Sequence, residues 1–466
     1  MPRSSTSAAE LLVSLRRDDT TPLHGQLEQE LRAAVRDGRL RPGAPMPSTR
    51  ALAAQLGLSR GVVVEAYEQL TAEGYLTTHP GAATRVAREA APPVATSLPA
   101  ASSVPQPAVD FRPGRPDLSH FPRAAWLRSL RRVLNEAPSE RFSYSDGRGL
   151  VELRDALAAY LNRVRGTCAS PDLVVITSGF TQGLGIVAGV LRSIGARRVA
   201  VEDPSFYGSR DTLRNAGLDL TAVPVDADGL RVDLLERTSA DAVLVTPAHQ
   251  YPTGAVLPPE RRAALIEWAR RRGALIIEDD YDAEYRYDRE PIGAIHGLAP
   301  DRVIYAGSAS KTLAPGLRLG WLLVPSRLVG PTAEAKLIAD HGSPALEQLA
   351  FADFLSRGEL DRHLRRMRPI YRGRRDALLA GLAQHLPQLR PTGTAAGLHL
   401  LAWLPPGLDE TSVVARAERH SVGVYGVAPQ RIIGGGPGGL IFGYGTLSEP
   451  MLAEGVRLLA EALRDA

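Results

Sequence analysis

Between Arg88 and Asp110 the chain reads Arg-Glu-Ala-Ala-Pro-Pro-Val-Ala-Thr-Ser-Leu-Pro-Ala-Ala-Ser-Ser-Val-Pro-Gln-Pro-Ala-Val-Asp. A stretch so rich in Pro, Ala and Ser, with few large apolar side chains, has little to bury and behaves as a linker. It divides the 466 residues into a short amino-terminal module and a long carboxy-terminal one. A chain of this length is expected to split into two or three domains in any case. Extended at about 3.1 Å per residue, the linker would span roughly 60 Å, so the flanking modules need not touch. The expected division is a tail over 1–20, a first module over 21–87, the linker over 88–109 and a second module over 110–466, with a smaller subdomain from about residue 330.

The composition, 44% apolar and 23% charged, is that of a soluble globular protein. The longest apolar runs, such as Ala274 to Ile277, are too short to cross a bilayer, and the amino terminus, with Glu10 and Arg16-Arg17-Asp18-Asp19, has no signal-peptide pattern. A cytosolic protein without membrane partners is expected. The single cysteine, Cys168, excludes an intrachain disulfide and a multi-cysteine metal site; it reads as a small packing residue, and no metal is expected. The net charge of +4 by itself points to neither nucleic acid nor membrane.

In the first module, Leu23, Leu27, Leu31, Ala34 and Val35 form the stripe of an amphipathic helix over Pro22 to Asp37. Ser48 is placed to cap a second helix ending at Gly57, and Ser59 to cap a third running to about Gly74. Two short helices joined across Gly57-Leu58-Ser59 predict a helix-turn-helix. Tyr75 to Thr78, a Pro80-Gly81 turn and Thr84-Arg85-Val86 then predict a two-stranded wing. Residues 21–86 carry seven Arg against six acidic side chains, a net charge of +1, so one copy should bind DNA weakly and a dimer reading paired half-sites is predicted.

This stretch resembles the winged helix-turn-helix of the GntR superfamily, in Pro47-Ser48-Thr49-Arg50-Ala51-Leu52-Ala53, Leu58-Ser59-Arg60 and Ala66-Tyr67-Glu68-Gln69-Leu70 followed by Gly74-Tyr75-Leu76. The resemblance implies DNA contacts from Arg50, Ser59 and Arg60, and the candidate set is completed by Gly61, Tyr67, His79 and Arg85. Gly61-Val62 stands where relatives commonly place Asn or Thr, and Val64 where some place Arg.

In the second module, strand-like runs at Leu173–Thr177, Arg198–Glu202, Ala242–Thr246, Ala274–Glu278 and Arg302–Tyr305 alternate with helical stretches, the pattern of an α/β domain with a mainly parallel sheet. Ligands of such sheets sit at the carboxyl ends of strands. The polar residues following the strands, Ser178 to Thr181, Asp203 to Phe206, Pro247 to Tyr251, Asp279 to Tyr281 and Ser308 to Lys311, should therefore converge. Of 55 basic residues only Lys311 and Lys336 are lysine. Where a chain so biased to arginine keeps a lysine, it keeps an amine whose pKa can fall far enough to attack a carbonyl and form a Schiff base. Lys311 is the candidate for that chemistry; Lys336 reads as a surface residue. An aldehyde-bearing pyridine with a phosphate needs an amine, a carboxylate at the ring nitrogen, a stacking aromatic, a phenol at the ring hydroxyl, and small residues with an arginine at the phosphate. Lys311, Asp279, Phe206, Tyr281, Ser308 and Arg318 can fill those roles, with Asp280 as a rival to Asp279.

Residues 110–466 resemble a fold-type I aminotransferase. The motifs are Phe111-x-x-Gly114-x-Pro116-Asp117, Tyr144-x-x-x-Gly149-x-x-x-Leu153-Arg154, Thr177-Ser178-Gly179-x-x-Gln182-Gly183, Glu202-Asp203-Pro204, Thr246-Pro247-x-His249-Gln250-Tyr251-Pro252-Thr253-Gly254, Glu278-Asp279-Asp280-Tyr281-Asp282 and Ser308-x-Ser310-Lys311-x-x-x-Pro315-x-x-Arg318-x-Gly320. The whole chain is similar to MocR/GabR-type transcriptional regulators, in which a mostly helical winged helix-turn-helix is fused to an α/β aminotransferase-like domain. The resemblance implies pyridoxal 5'-phosphate joined to Lys311, Asp279 at the pyridine nitrogen, Tyr281 at the phenolic oxygen and Phe206 stacked on the ring. It places Ser308, Arg318 and the backbone of Gly179, Phe180 and Thr181 at the phosphate, and sends Tyr144 to the phosphate of a neighbouring subunit in a head-to-tail homodimer. Tyr251 stands where the family usually has Asn, leaving His249 or Gln250 to substitute. The carboxylate-binding Arg expected near Leu440 to Tyr444 is missing, and Arg431 is the nearest candidate. A buried carboxylate without a bidentate partner binds poorly, which favours ligand sensing over full transamination. Gly434 to Gly439 reads as a mobile loop rather than an anion nest, and His399 as a core residue. The implied protein is a bacterial cytoplasmic regulator whose partners are operator DNA, a second copy of itself, RNA polymerase, and an effector that is a small amino compound or the cofactor itself. The alternative is a working aminotransferase with an accessory DNA-binding domain.

Overall fold

The computed structural model describes residues 13–79, 82–89, 107–287, 292–393 and 395–464. The first twelve residues, the Pro80-Gly81 turn and linker residues 90–106 lie outside these. The chain forms two compact units, Met1–Val104 and Pro105–Ala466.

The first unit consists of α1 (Leu23–Arg36), α2 (Thr49–Leu56), α3 (Arg60–Ala72) and a wing of β1 (Leu76–Thr77) and β2 (Arg85–Val86), paired antiparallel. The predicted stripe on α1 buries Leu27, Leu31, Ala34 and Val35 against Leu52, Val63, Ala66 and Leu70, and Leu76 and Val86 of the wing close this core. Ser48 caps α2 by accepting from the Ala51 amide at 3.2 Å, and Gly57 ends it with a left-handed φ of 64°. Ser59 occupies the capping position of α3, but its hydroxyl makes no capping hydrogen bond, contrary to expectation. The tail also reaches further into the fold than residues 1–20 suggested: the Gln26 amide bonds both the N–H and the C=O of Arg16 at 2.9 Å, and Arg17 donates to the Gly57 carbonyl.

The second unit opens with β3 (Val109–Asp110), so the folded chain resumes before residue 110. Next come α4 (Arg123–Glu136), α5 (Val151–Arg165), β4 (Val174–Thr177), α6 (Phe180–Ser193), β5 (Arg198–Asp203), α7 (Tyr207–Asn215), β6 (Asp219–Asp226), β7 (Gly229–Leu230) and α8 (Val232–Leu235). The sheet continues with β8 (Ala242–Val245), α9 (Pro259–Arg272), β9 (Leu275–Asp279), β10 (Val303–Ser308) and β11 (Gly320–Leu323). Eight strands order as β4-β11-β10-β9-β8-β5-β6-β7. From β10 to β6 neighbours are parallel, whereas β11 runs antiparallel to both β4 and β10. Helices cover both faces, which is why the central strands are apolar without a break. On β9, Leu275 and Ile277 face α6, while Ile276 faces α9.

The chain then forms α10 (Val329–Asp340), α11 (Ala345–Ser356), α12 (Glu359–His385), β12 (Arg390–Thr392), β13 (His399–Trp403), α13 (Glu410–Arg419), β14 (Val422–Gly423), β15 (Tyr425–Gly426), β16 (Gly439–Gly443) and α14 (Glu449–Arg464). A four-stranded sheet, β12-β13-β16-β15, forms the smaller subdomain, and β14 pairs in parallel with β3.

Candidate active site and nucleic-acid interface

The carboxyl ends of β4, β5, β9 and β10 open onto a cavity of about 340 Å³ lined by Gly114, Phe180, Thr181, Glu202, Phe206, Tyr251, Asp279, Tyr281, Ser308, Ser310, Lys311 and Arg318 among others. All five predicted segments thus contribute to the lining, Pro247 to Tyr251 through Tyr251 alone. Lys311 points its amine at the Gly114 carbonyl, 2.6 Å away. Burial lowers the amine's pKa, against the pull of Asp282 and Asp279. This is the direction that frees a lone pair for attack on a carbonyl.

Asp279 and Asp280 are neighbours on a strand end, and their side chains take opposite directions. Asp279 faces the cavity, where burial and the adjacent Asp280 raise its pKa well above the ordinary carboxylate range. Asp280 instead points into the protein, bonded to Arg165 Nε at 2.7 Å, Arg165 Nη2 at 3.1 Å and the Tyr305 hydroxyl at 2.7 Å. Asp280 is committed, so Asp279 alone can meet a cationic ring nitrogen. Tyr281 places its hydroxyl 3.0 Å from the His249 carbonyl, to which it donates, and 3.1 Å from His249 Nδ1. Phe206 stands at the mouth, 42% exposed, with its ring edge-on to Tyr251 at 5.9 Å.

The phosphate end is built from the start of α6. The first amides of a helix have no intrahelical acceptor and attract anions, and here they belong to Phe180 and Thr181. Arg318, in a left-handed conformation with φ 51°, bonds the Ser178 carbonyl and lies against Gly179. A β-carbon at Gly179, itself at φ 89°, would sit 2.9 Å from Arg318 Nη2. Ser308 bonds the Ser310 hydroxyl at 2.8 Å. An amine, a cavity-facing carboxylate, a phenol, and a cradle of helix amides with arginine together fit pyridoxal phosphate, the group the resemblance implies.

In the first unit Arg50, Ser59, Arg60 and Gly61, at the amino-terminal ends of α2 and α3, are exposed, as are His79 and Arg85 on the wing. Arg85 donates to the Gly43 carbonyl at 2.9 Å. Helix starts of this kind suit phosphate binding and base edges alike.

Residues 23–86 match the family described as bacterial regulatory proteins, gntR family, and residues 109–427 match aminotransferase class I and II. The chain is 36% identical to the HTH-type pyridoxine biosynthesis transcriptional regulator PdxR of Corynebacterium glutamicum, over 95% of this chain and 96% of that one. It is 32% identical to the probable rhizopine catabolism regulatory protein MocR of Rhizobium meliloti, over 97% and 96%. The chain belongs to the MocR-type transcriptional regulators. Its second unit is similar to LysN, the α-aminoadipate aminotransferase of Thermus thermophilus, solved in complex with N-(5'-phosphopyridoxyl)-L-leucine, at 29% identity and a TM-score of 0.69 over 77% of this chain and 92% of that one.

Against that family background several expectations change. Tyr67 is not a DNA contact: it is 5% exposed, packs in the core and donates to the Pro47 carbonyl at 3.0 Å. Arg431 does not line the cavity. Its guanidinium donates to the Gly435 and Pro437 carbonyls at 2.7 Å, stands over the Trp403 ring and fastens the Gly434–Gly438 loop beside a separate cavity of about 800 Å³. The lining of the cofactor cavity therefore contains one arginine, Arg318, among the described residues. His249 lies behind the lining rather than in it, and Gln250 is engaged by Thr253 and by the Pro204 and Tyr251 carbonyls. His399 is buried as expected. Tyr144 is 88% exposed, lies edge-on to His341 and is no part of its own chain's cavity. Cys168 is exposed rather than packed.

Lys336 is no surface lysine. It is fully buried, bonded to both carboxylate oxygens of Asp340 at 2.6 and 2.7 Å, and Asp340 holds the Gln182 amide, whose oxygen accepts from the Ser178 N–H. The second lysine thus supports the phosphate loop. Glu202 was also missed as a site residue, although its motif was visible. It lines the cavity, accepts from Thr246 and Gln250, and burial raises its pKa to about 7.

Proposed function

We propose that this regulator binds pyridoxal phosphate at Lys311 and that occupancy of the cavity, by the cofactor alone or with a small amino compound, sets its affinity for operator DNA. The observation that carries this reading is the imbalance of the cavity: every role the cofactor requires is filled, yet no arginine besides Arg318 is present in the described lining for a substrate carboxylate. When bound, the cofactor supplies an aldehyde for amine capture and a ring that withdraws electrons. Lys311 supplies the attacking amine, Asp279 keeps the ring nitrogen protonated, Tyr281 donates to the ring oxygen, and Phe206 and Tyr251 shield the face from water. The Phe180 and Thr181 amides, Ser308 and Arg318 hold the phosphate, and exposed Tyr144 is left to serve the cavity of a second copy. Arg50, Ser59 and Arg60 grip DNA, with paired half-sites compensating for the low charge of one module. Coupling requires the ligand to bind two arrangements of the dimer with different affinity.

The similarity to PdxR, named for pyridoxine biosynthesis, supports the cofactor as the signal and genes of its synthesis as the target. The test is gel retardation of the gene's own upstream DNA by stripped and cofactor-loaded protein. Cofactor-dependent retardation without any amino acid is expected; identical retardation in both states would refute the cofactor as signal. A second reading, a working aminotransferase, draws on the intact set of Lys311, Asp279 and Tyr281 and on the similarity to LysN. Multiple turnovers with an amino acid and a keto acid would favour it.

A further inference from the structure

Behind Tyr281 lies a polar pair that the reading above leaves without a task. The side chains of His249 and Asp282 are each 2% exposed, and His249 Nδ1 lies 3.1 Å from both Asp282 oxygens and 3.1 Å from the Tyr281 hydroxyl. A carboxylate can only accept, so the network assigns the proton of this ring to Nδ1. His249 Nε2 is buried without a hydrogen-bond partner among the described residues. The backbone is shaped around the pair. At Gly397, with φ 71°, a β-carbon would stand 2.5 Å from both Asp282 Oδ2 and His249 Nδ1, and at Gly254 one would stand 3.3 Å from His249 Nε2. The Gly397 carbonyl is itself fastened by the Tyr287 hydroxyl at 2.5 Å and the Tyr444 hydroxyl at 2.7 Å.

We infer that His249, oriented by Asp282, is a positioning residue that holds the Tyr281 hydroxyl so that its proton is aimed at the ring oxygen of the cofactor. The inference rests on the cavity being a pyridoxal phosphate site. It explains how this chain manages with Tyr251 where Asn is usual: the missing amide is not replaced by another group on the cofactor, since Gln250 is engaged elsewhere, but by a firmer hold on the phenol. With Nδ1–H shared between Asp282 and Tyr281, the phenol accepts from His249, and its single proton, given to the His249 carbonyl in this structure, is the one that turns to the ring oxygen when the cofactor binds. The other titratable groups around this arrangement are His399, whose ring lies 5.1 Å from His249, and Tyr251, Asp279, Lys311 and Glu202 around the cavity.

The test is a pH titration of the visible absorption band of cofactor-loaded, full-length protein. A phenol that donates firmly withdraws charge from the ring oxygen and disfavours a proton on the neighbouring Lys311 nitrogen, so loosening it raises the pH midpoint of the band. His249→Ala should raise the midpoint by about one unit, Tyr281→Phe by more, and the double variant by no more than Tyr281→Phe alone, because the histidine acts through the phenol. His249→Gln, which keeps an N–H donor, should recover part of the shift. Should His249→Ala fail to fold, Asp282→Asn serves in the same cycle. An unmoved midpoint in folded His249→Ala, or shifts that add in the double variant, would overturn the inference while leaving the cofactor reading intact. A wild-type protein with no visible band on cofactor addition would overturn both.

Discussion

The cofactor cavity and the exposed helix starts of the first unit solve opposite problems. In the cavity, charge is buried and each group is held by a second: Lys311 by Gly114, Tyr281 by His249, and the phosphate loop by the chain Ser178, Gln182, Asp340, Lys336. At the helix ends, Arg50 and Arg60 stand in solvent on a module whose net charge is only +1. Preorganisation concentrates binding strength at one point, whereas a weakly charged surface must obtain it by repetition. The difference teaches that strength at the first site is built in by holding each group in place, whereas strength at the second would come from pairing copies.

The sharpest way to break this comparison is Lys311→Ala. Complete loss of covalent cofactor capture is expected, read as absence of the visible band and of a borohydride-fixed adduct on the Lys311 peptide, with the melting temperature of cofactor-free protein unchanged. Next, Arg60→Ala should weaken DNA binding by about 1–3 kcal/mol and leave the band as it was. A shifted band would mean that the two regions are not separate in the way described.

Glu202 tests how far burial governs the cavity. Its pKa is raised to about 7 by burial, so the stability it contributes is complete below the ordinary carboxylate pKa and is lost as pH rises through about 7. Glu202→Gln should therefore gain on wild type by roughly 2–3 kcal/mol between pH 5 and pH 8 in denaturant melts, and parallel pH profiles would contradict it. The smallest effect is expected at Tyr67, where Phe loses the bond to the Pro47 carbonyl. The first unit should lose about 1 kcal/mol of stability, with DNA affinity at temperatures well below its melting point unaltered; a direct loss of affinity would restore Tyr67 to the interface.

The strands, the helix-turn-helix and the convergence on Lys311 were legible because each rests on short-range signals: apolar runs, capping residues, and polar residues just past strand ends. Asp279 was favoured over Asp280 through the resemblance, but the reason was not legible, since it depends on which way a strand end faces, and Arg165 is more than a hundred residues away in sequence. Lys336 and Arg431 were misread for a related reason. A long basic side chain looks alike whether it reaches water, a buried carboxylate such as Asp340, or the carbonyls of a loop. Tyr67 carries a polar tip on an apolar body, and its helix turns that tip inward to Pro47. The small sheet escaped because its strands are short and pair across long separations, as His399 does with Gly443.

The pairing of β3 with β14 sets where the second unit begins, and Gly114, whose carbonyl receives the Lys311 amine, lies only five residues beyond Val109. The carbonyl that holds the reactive nitrogen and the first strand of the second unit are thus close neighbours along the backbone. A ligand that draws that nitrogen off the carbonyl removes one of the contacts that fix the segment from Val109 to Gly114.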